Sequence, residues 1–273
     1  MANNSINTNV QALVALQYLN ATNRDLDKVQ DRVSTGLRVN TAIDDASSFA
    51  IAQGLRADLK GYAAVSQGIA NGKGVGTIAL SGLTSISDLL GDLQQKVTEG
   101  MNAANTTSQQ QILQSDFASL VAQINIFISN ATYNGRNLLS SGAPNVGVIA
   151  NIDGTTVVIR GVSQVTQSAT ILAAQAISTT SNALVALTRI NEARATVATL
   201  LGNVGADIRT INFQDTFVGL LDDATTTGLG DIVDADLAIE SARLQALQVK
   251  QQLGVQTLNI ANSRPEILGQ LFR

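Results

Sequence analysis

Apolar residues recur at intervals of three, four and seven along most of this chain, and a sustained seven-residue repeat leaves few folds open. Such a repeat keeps one stripe of a helix facing a partner helix, so it demands long helices laid side by side. Near the N-terminus Ala12, Leu16, Leu19, Leu26, Val33 and Leu37 follow this spacing, with Asn23 and Gln30 in intervening register positions. A stricter register places Leu55, Tyr62, Ile69, Gly76, Leu83, Leu90 and Val97 seven apart. A third runs Leu113, Phe117, Leu120, Ile124, Phe127 and Ala131, and a fourth Leu187, Ile190, Val197, Leu201, Val204, Ile208 and Ile211. The expected fold is mainly α, with the last three registers forming the core of one helical bundle.

The pattern changes between about residues 140 and 167. Ser140-Ser141-Gly142-Ala143-Pro144 breaks any helix, and two β-rich arms, 146–152 and 156–162, flank Asp153-Gly154. Asp-Gly between apolar arms is a hairpin signal, and a lone hairpin is marginal in water, so it should lie against the bundle. Asp222-Asp223 before Ala224-Thr225-Thr226-Thr227-Gly228 predicts a helix break.

Residues 236–262 carry two apolar faces. One stripe holds Ile239, Ala242, Ala246, Val249, Leu253 and Ile260; Leu237, Leu244, Leu247 and Leu258 lie roughly 200° away at about 100° per residue. Two faces need two partners. An ordinary core helix meets that need inside one chain, yet this segment lies close to the chain's end. Pro265 suits the first position of a fresh short helix, and Ile267, Leu268, Leu271 and Phe272 then form a sticky terminal patch of the kind that marks an interaction site.

The residue inventory narrows the chemistry. With 0 His and 0 Cys, the chain can build neither a Ser-His-Asp triad nor a thiolate or HExxH metal site. Asp44-Asp45 sits ahead of Ala46-Ser47-Ser48, where a carboxylate caps free amides; adjacent helical carboxylates point about 100° apart and do not share a proton. Gly68, Gly72, Gly74 and Gly76 around Lys73 lack the spacing of a phosphate loop and read as sites of close helix approach. No catalytic, cofactor-binding or metal-ligating residue is therefore assigned. A net charge of −4 without a basic cluster argues against nucleic acid. No window approaches eighteen uninterrupted apolar residues, which argues against a membrane span, and the first basic side chain, Arg24, follows no signal-peptide pattern.

Three stretches together resemble the bacterial flagellins. Ile6-Asn7-Thr8-Asn9 with Ser34-Thr35-Gly36-Leu37-Arg38-Val39-Asn40-Thr41-Ala42-Ile43-Asp44-Asp45-Ala46 is similar to that family's N-terminal signature. Tyr133-Asn134-Gly135-Arg136-Asn137-Leu138-Leu139 resembles its aromatic-Asn-Gly motif, and 235–273 its C-terminal region, closing on Phe272-Arg273.

The resemblance implies a subunit whose two ends pair in a long antiparallel coiled coil, an inner layer of 1–40 with 232–273 around a channel, enclosed by 41–231 with its hairpin near 146–162. It implies self-assembly into the flagellar filament, through Leu16, Leu19, Leu26, Val33, Leu37, Ile239, Leu244, Leu247, Val249, Leu253, Leu258, Ile260, Leu268, Leu271 and Phe272 of the end segments. Implied partners are other copies, the flagellar export apparatus, an export chaperone at the C-terminal segment, and the filament cap and junction proteins; the implied location is extracellular, reached without a cleaved signal peptide. A hook–filament junction protein shares the terminal pattern and is the alternative. The large outer domains of many relatives are missing, which implies a thin filament. Leu90-Gly91-Asp92-Leu93-Gln94-Gln95-Lys96-Val97 aligns with an Arg-rich epitope read by an innate immune receptor but holds neither Arg, which implies weak activation.

Overall fold

The computed structural model describes residues 8–271, with side chains to residue 263. Its elements in order are α1 (Val10–Thr35), α2 (Ala46–Gly100), α3 (Thr107–Asn130), β1 (Val146–Ile149), β2 (Thr156–Ile159), α4 (Gln164–Ala173), α5 (Thr180–Val233) and α6 (Leu237–Leu271). They form two compact units, residues 1–57 with 224–273, and residues 58–223.

Helix boundaries follow the capping residues. Asn9 caps α1 by accepting from Ala12 N at 3.1 Å, and α1 stops at Gly36, whose φ of 72° is the left-handed conformation that a side chain disfavours. Asp45 accepts from Ser47 N, Ser48 N and Ser48 Oγ to start α2, as the sequence predicts. Asp44 instead closes the preceding loop, accepting from the main-chain N–H groups of Asn40 and Thr41 and from Thr41 Oγ1. Thr106 and Gln109 form a reciprocal capping box on α3.

The core of residues 58–223 is a set of heptad stripes. On α2 the buried apolar side chains are Val65, Ile69, Val75, Ala79, Leu83, Ile86, Leu90, Leu93 and Val97. On α3 they are Phe117, Val121, Ile124 and Ile128, and on α5 they include Ala183, Ala186, Ile190, Ala193, Val197, Leu200, Val204, Ile211 and Val218. Of the predicted core residues, Tyr62, Leu120, Leu187, Leu201 and Ile208 are half-buried at the edges of this cluster. Leu55 is a correction: it is half-buried, belongs to the other unit and lies outside the cluster. By length and composition α3 is long and apolar enough to cross a membrane, but its four buried side chains face the bundle core.

The hairpin is antiparallel, with Val146 opposite Ile159 and Ile149 opposite Thr156; Ala150 N donates to Thr155 O, and Gly154 at φ 84° closes the loop. Its strands are four residues each, shorter than the arms expected from sequence. It lies on glycines: a Cβ on Gly72 would collide with the Val148 side chain, and one on Gly61 would come within 2.7 Å of Ile152 Cγ2. Of the four glycines expected to admit a helix, only Gly76 does so, against Ile208; Gly72 admits the hairpin, Gly74 the Tyr133 ring, and Gly68 faces open space. Arg160, just past β2, anchors it to α5 through Asp207. The Tyr133–Leu139 motif has a matching task. Asn134 (φ 49°) and Gly135 (φ 74°) make a tight turn between Tyr133 and Arg136, while Asn137 donates to Ile128 O at 2.7 Å and ties off α3.

Two expected breaks are absent. α5 is helical through Asp222-Asp223 and ends at Val233, ahead of Asp234. α6 is one helix through Pro265 to Leu271, so no fresh short helix starts there. A proline removes one main-chain donor from a helix, and here the helix tolerates the loss.

Candidate assembly faces at the paired chain ends

Within the unit of residues 1–57 and 224–273, α1 and α6 lie antiparallel. Asn9 meets Ala261, Leu19 meets Gly254, Asn23 meets Gln251 and Arg32 meets Glu240. The more protected residues of α6, Glu240, Leu244, Leu247, Gln251, Gly254, Leu258 and Ala261, alternate in steps of four and three, the signature of a coiled-coil seam. On α1 the corresponding stripe is Ala12, Ala15, Leu19, Thr22, Leu26, Val29 and Val33.

This seam corrects the sequence-derived register of α1. Leu19, Leu26 and Val33 are on it, but Leu16 is 42% exposed and its place is taken by Ala15. Val29 is buried where the neighbouring Gln30 was expected. Leu37 lies beyond the end of α1, bridges Asp234 and packs on a small second core of Val39, Ala52 and Val233. Around it Arg38 N and Val39 N donate to Val233 O, and Ala235 N donates to Gly36 O. Residues 36–39 of the N-terminal signature therefore form a clasp where α1 ends and α6 begins.

Of the two faces expected on α6, the leucine face meets α1: Leu247 is buried, and Leu244 and Leu258 are half-buried. Leu237, assigned to the same face, is half-exposed at the first turn. The other face stays open, with Ile239 at 62%, Leu253 at 56% and Ile260 at 65% exposure, and Val249 similarly bare. Val10, Leu13, Val14, Leu16 and Tyr18 are exposed on α1, and an apolar groove runs between Val10, Val14 and Tyr18 on one helix and Ile260 and Ala261 on the other. Leu268, Leu271 and Phe272 lie outside the residues whose side chains are described.

Two polar contacts inside the seam have no sequence signal, because their partners are far apart in the chain. Gln251 Nε2 donates to Asn23 Oδ1 at 2.9 Å. Arg32 Nη1 pairs with Glu240 Oε1 at 3.1 Å, with Glu240 only 6% exposed. Polar pairs of this sort cost stability relative to leucine but penalise slipped or wrongly paired helices. Among the described residues no group of His, Cys, Asp or Glu has the arrangement of a metal site.

A monomer with one helix face filled and the opposite face apolar and open defines a self-associating helical subunit. Comparison with known proteins agrees. The model of the bacterial flagellin N-terminal helical region matches residues 6–143, and that of the bacterial flagellin C-terminal helical region matches residues 187–272. Flagellin FljM of Caulobacter vibrioides is 37% identical over 100% of both chains, and FljJ of the same organism 39% identical over 98% of each. A flagellin of Brucella melitensis is 37% identical, covering 98% of this chain and 99% of its own. The solved Bacillus cereus flagellin is 15% identical with a TM-score of 0.40, covering 65% of this chain and 93% of that one. The chain belongs to the bacterial flagellins, the structural subunits of the extracellular flagellar filament. Its full-length match to relatives of its own size accords with the missing outer domains.

Proposed function

We propose that the open faces of α1 and α6 are where one subunit meets the next in the filament. In this reading residues 1–40 with 232–273 form the inner layer and 41–231 surround it. Ile239, Val249, Leu253 and Ile260 of α6, with Val10, Leu13, Leu16 and Tyr18 of α1, seat on neighbouring copies. The observation that supports it is the exposure of these side chains on helices whose opposite faces are already filled. Exposed apolar side chains gathered along one helix face mark an association site. Leu253→Asp should abolish filaments while the unit of residues 58–223 keeps its circular dichroism and cooperative melting. Normal polymerisation by that variant overturns the assignment.

Long homopolymers from purified chain separate this reading from a hook–filament junction protein, which would stop at a short ring. The absence of His and the membership of a structural family support a role without catalysis. Other partners follow by family: the export apparatus, a chaperone on the C-terminal segment, and the cap and junction proteins. A chain with no Cys is suited to export unfolded, and the intact mass of filament subunits tests whether it leaves the cell uncleaved. Weak activation of the innate immune receptor is the reading for Leu90–Val97, where Leu90, Leu93 and Val97 are buried and Gln94 is engaged by Arg194. Strong signalling by monomer at low concentration refutes it.

A further inference from the structure

Helix α6 passes through Pro265 without stopping. Proline has no N–H, so the carbonyl four residues earlier, that of Ala261, loses its helical donor. Ala261 is 7% exposed, and a buried carbonyl left without a donor costs as much as a lost hydrogen bond. The Asn9 side chain supplies the missing donor: Nδ2 gives a hydrogen bond of 2.7 Å to Ala261 O. The same side chain, through Oδ1, accepts from Ala12 N at 3.1 Å and caps α1.

We propose that Asn9 sets the register in which the two ends of the chain pair, by joining the first turn of α1 to the one carbonyl that Pro265 opens on α6. Most of the seam is a poor register gauge. Ala12, Ala15, Gly254 and Ala261 are small, and a heptad repeat looks alike one heptad away. A single opened carbonyl does not repeat. Slipping α6 by one heptad leaves Ala261 without a donor in either direction, and the slip that brings Gly254 opposite Asn9 takes its amide to a carbonyl already bonded within the helix. Asn23–Gln251 and Arg32–Glu240 check the register further along, but long polar side chains follow small shifts that an N-cap residue, fixed by its own helix, does not. Register matters to assembly because it decides which parts of the open faces stand side by side.

The seam contains its own reporter. A Cβ on Gly254 would lie 3.9 Å from Leu19 Cβ, close to the spacing of a disulfide, and the chain has no other Cys. In a Leu19→Cys, Gly254→Cys chain, intramolecular cross-linking under mild oxidant is followed in the intact chain, both as monomer and in filaments, by the mobility shift on non-reducing gels. Asn9→Ser keeps a capping oxygen but removes the amide donor, and it should slow cross-linking about tenfold, the scale of an unsatisfied acceptor. Pro265→Ala restores the main-chain donor to Ala261, so in that background Asn9→Ser should slow cross-linking by less than about twofold. Equal slowing in both backgrounds overturns the proposal, as does no slowing in either. Because the reporter reads pairing inside one chain, a failure of the intersubunit assignment, seen as filaments that survive Leu253→Asp, leaves this result standing and is told apart from it.

Discussion

Arg160 holds the Asp207 carboxylate with three donors: Nη2 reaches Oδ1 at 2.7 Å, while Nε and its own main-chain N–H reach Oδ2 at 3.1 and 3.0 Å. Asp207 occupies a core-facing heptad position of α5 and is 8% exposed, so α5 accepts a carboxylate there only because the end of β2 answers it. Asp207→Ala should free the hairpin and lower the melting midpoint of the unit of residues 58–223 by about 2–8 °C, measured by calorimetry on the monomer. Arg160→Lys, a point charge that cannot make the paired contact, should recover only part of that shift.

The glycines of α2 give a matched pair of substitutions. At Gly72 a new Cβ meets Val148, whereas at Gly68, one turn away, nothing lies within 4 Å. Gly68→Ala should stabilise the bundle by about 0.5–1 kcal/mol through the gain in helix propensity, and Gly72→Ala should destabilise it by about 1–3 kcal/mol through overpacking. Urea midpoints of the two variants should move in opposite directions.

Asp44 and Asp45 both hold their protons less tightly than an ordinary aspartate. For Asp44 the main cause is the Thr41 main-chain N–H, and for Asp45 it is the Ser48 hydroxyl. The unfolded chain therefore binds more protons than the folded one as these groups titrate, and their contribution to stability rises with pH. It is complete above the ordinary aspartate value of about 3.9 and disappears as pH falls through the lowered folded values. The Asp44→Asn, Asp45→Asn chain should melt below the wild type at pH near neutrality and converge with it in strong acid, followed by circular dichroism across pH.

Leu247 and Leu16 separate the two kinds of end-helix residue. Leu247 is in the seam and Leu16 is open. Leu247→Ala should weaken the α1–α6 pair by about 2 kcal/mol and slow the Leu19→Cys, Gly254→Cys cross-link. Leu16→Ala should leave the cross-link unchanged in the monomer.

Sequence periodicity located every long helix but only half of each seam. Stepping by seven picks one heptad position, so Ile69, Leu83, Leu90 and Val97 were legible while Val65, Ala79, Ile86 and Leu93, on the alternate position, were not. On α5 the missing half is Ala186, Ala193, Leu200 and Asp207, and its two alanines are small enough to disappear into a background rich in that residue. On α1 the adjacent Ala15 and Leu16 compete for one place, and hydrophobicity alone favours the wrong one. Only a partner helix of known position decides it. Asp222-Asp223 and Pro265 look like breaks because local propensity says so, yet α5 and α6 run through them, since propensity is a weak prior over one turn of a long helix. The polar pairs Arg160–Asp207, Arg32–Glu240 and Asn9–Ala261 join residues far apart in sequence, and single-sequence patterns are blind to them.

The seam between α1 and α6 buries little: Val29, Leu247 and Ala261 are its only fully buried apolar side chains among the described residues of the two helices. The bundle of residues 58–223 has a continuous aliphatic core, so the two parts of the molecule answer to different variables. A well-filled core melts at a temperature fixed by its own sequence. A thin seam with bare outer faces is open to mass action, since any copy that binds those faces stabilises it. On the proposed assignment the α1–α6 pair should grow more stable as chain concentration rises, while the bundle of residues 58–223 keeps one melting temperature at every dilution.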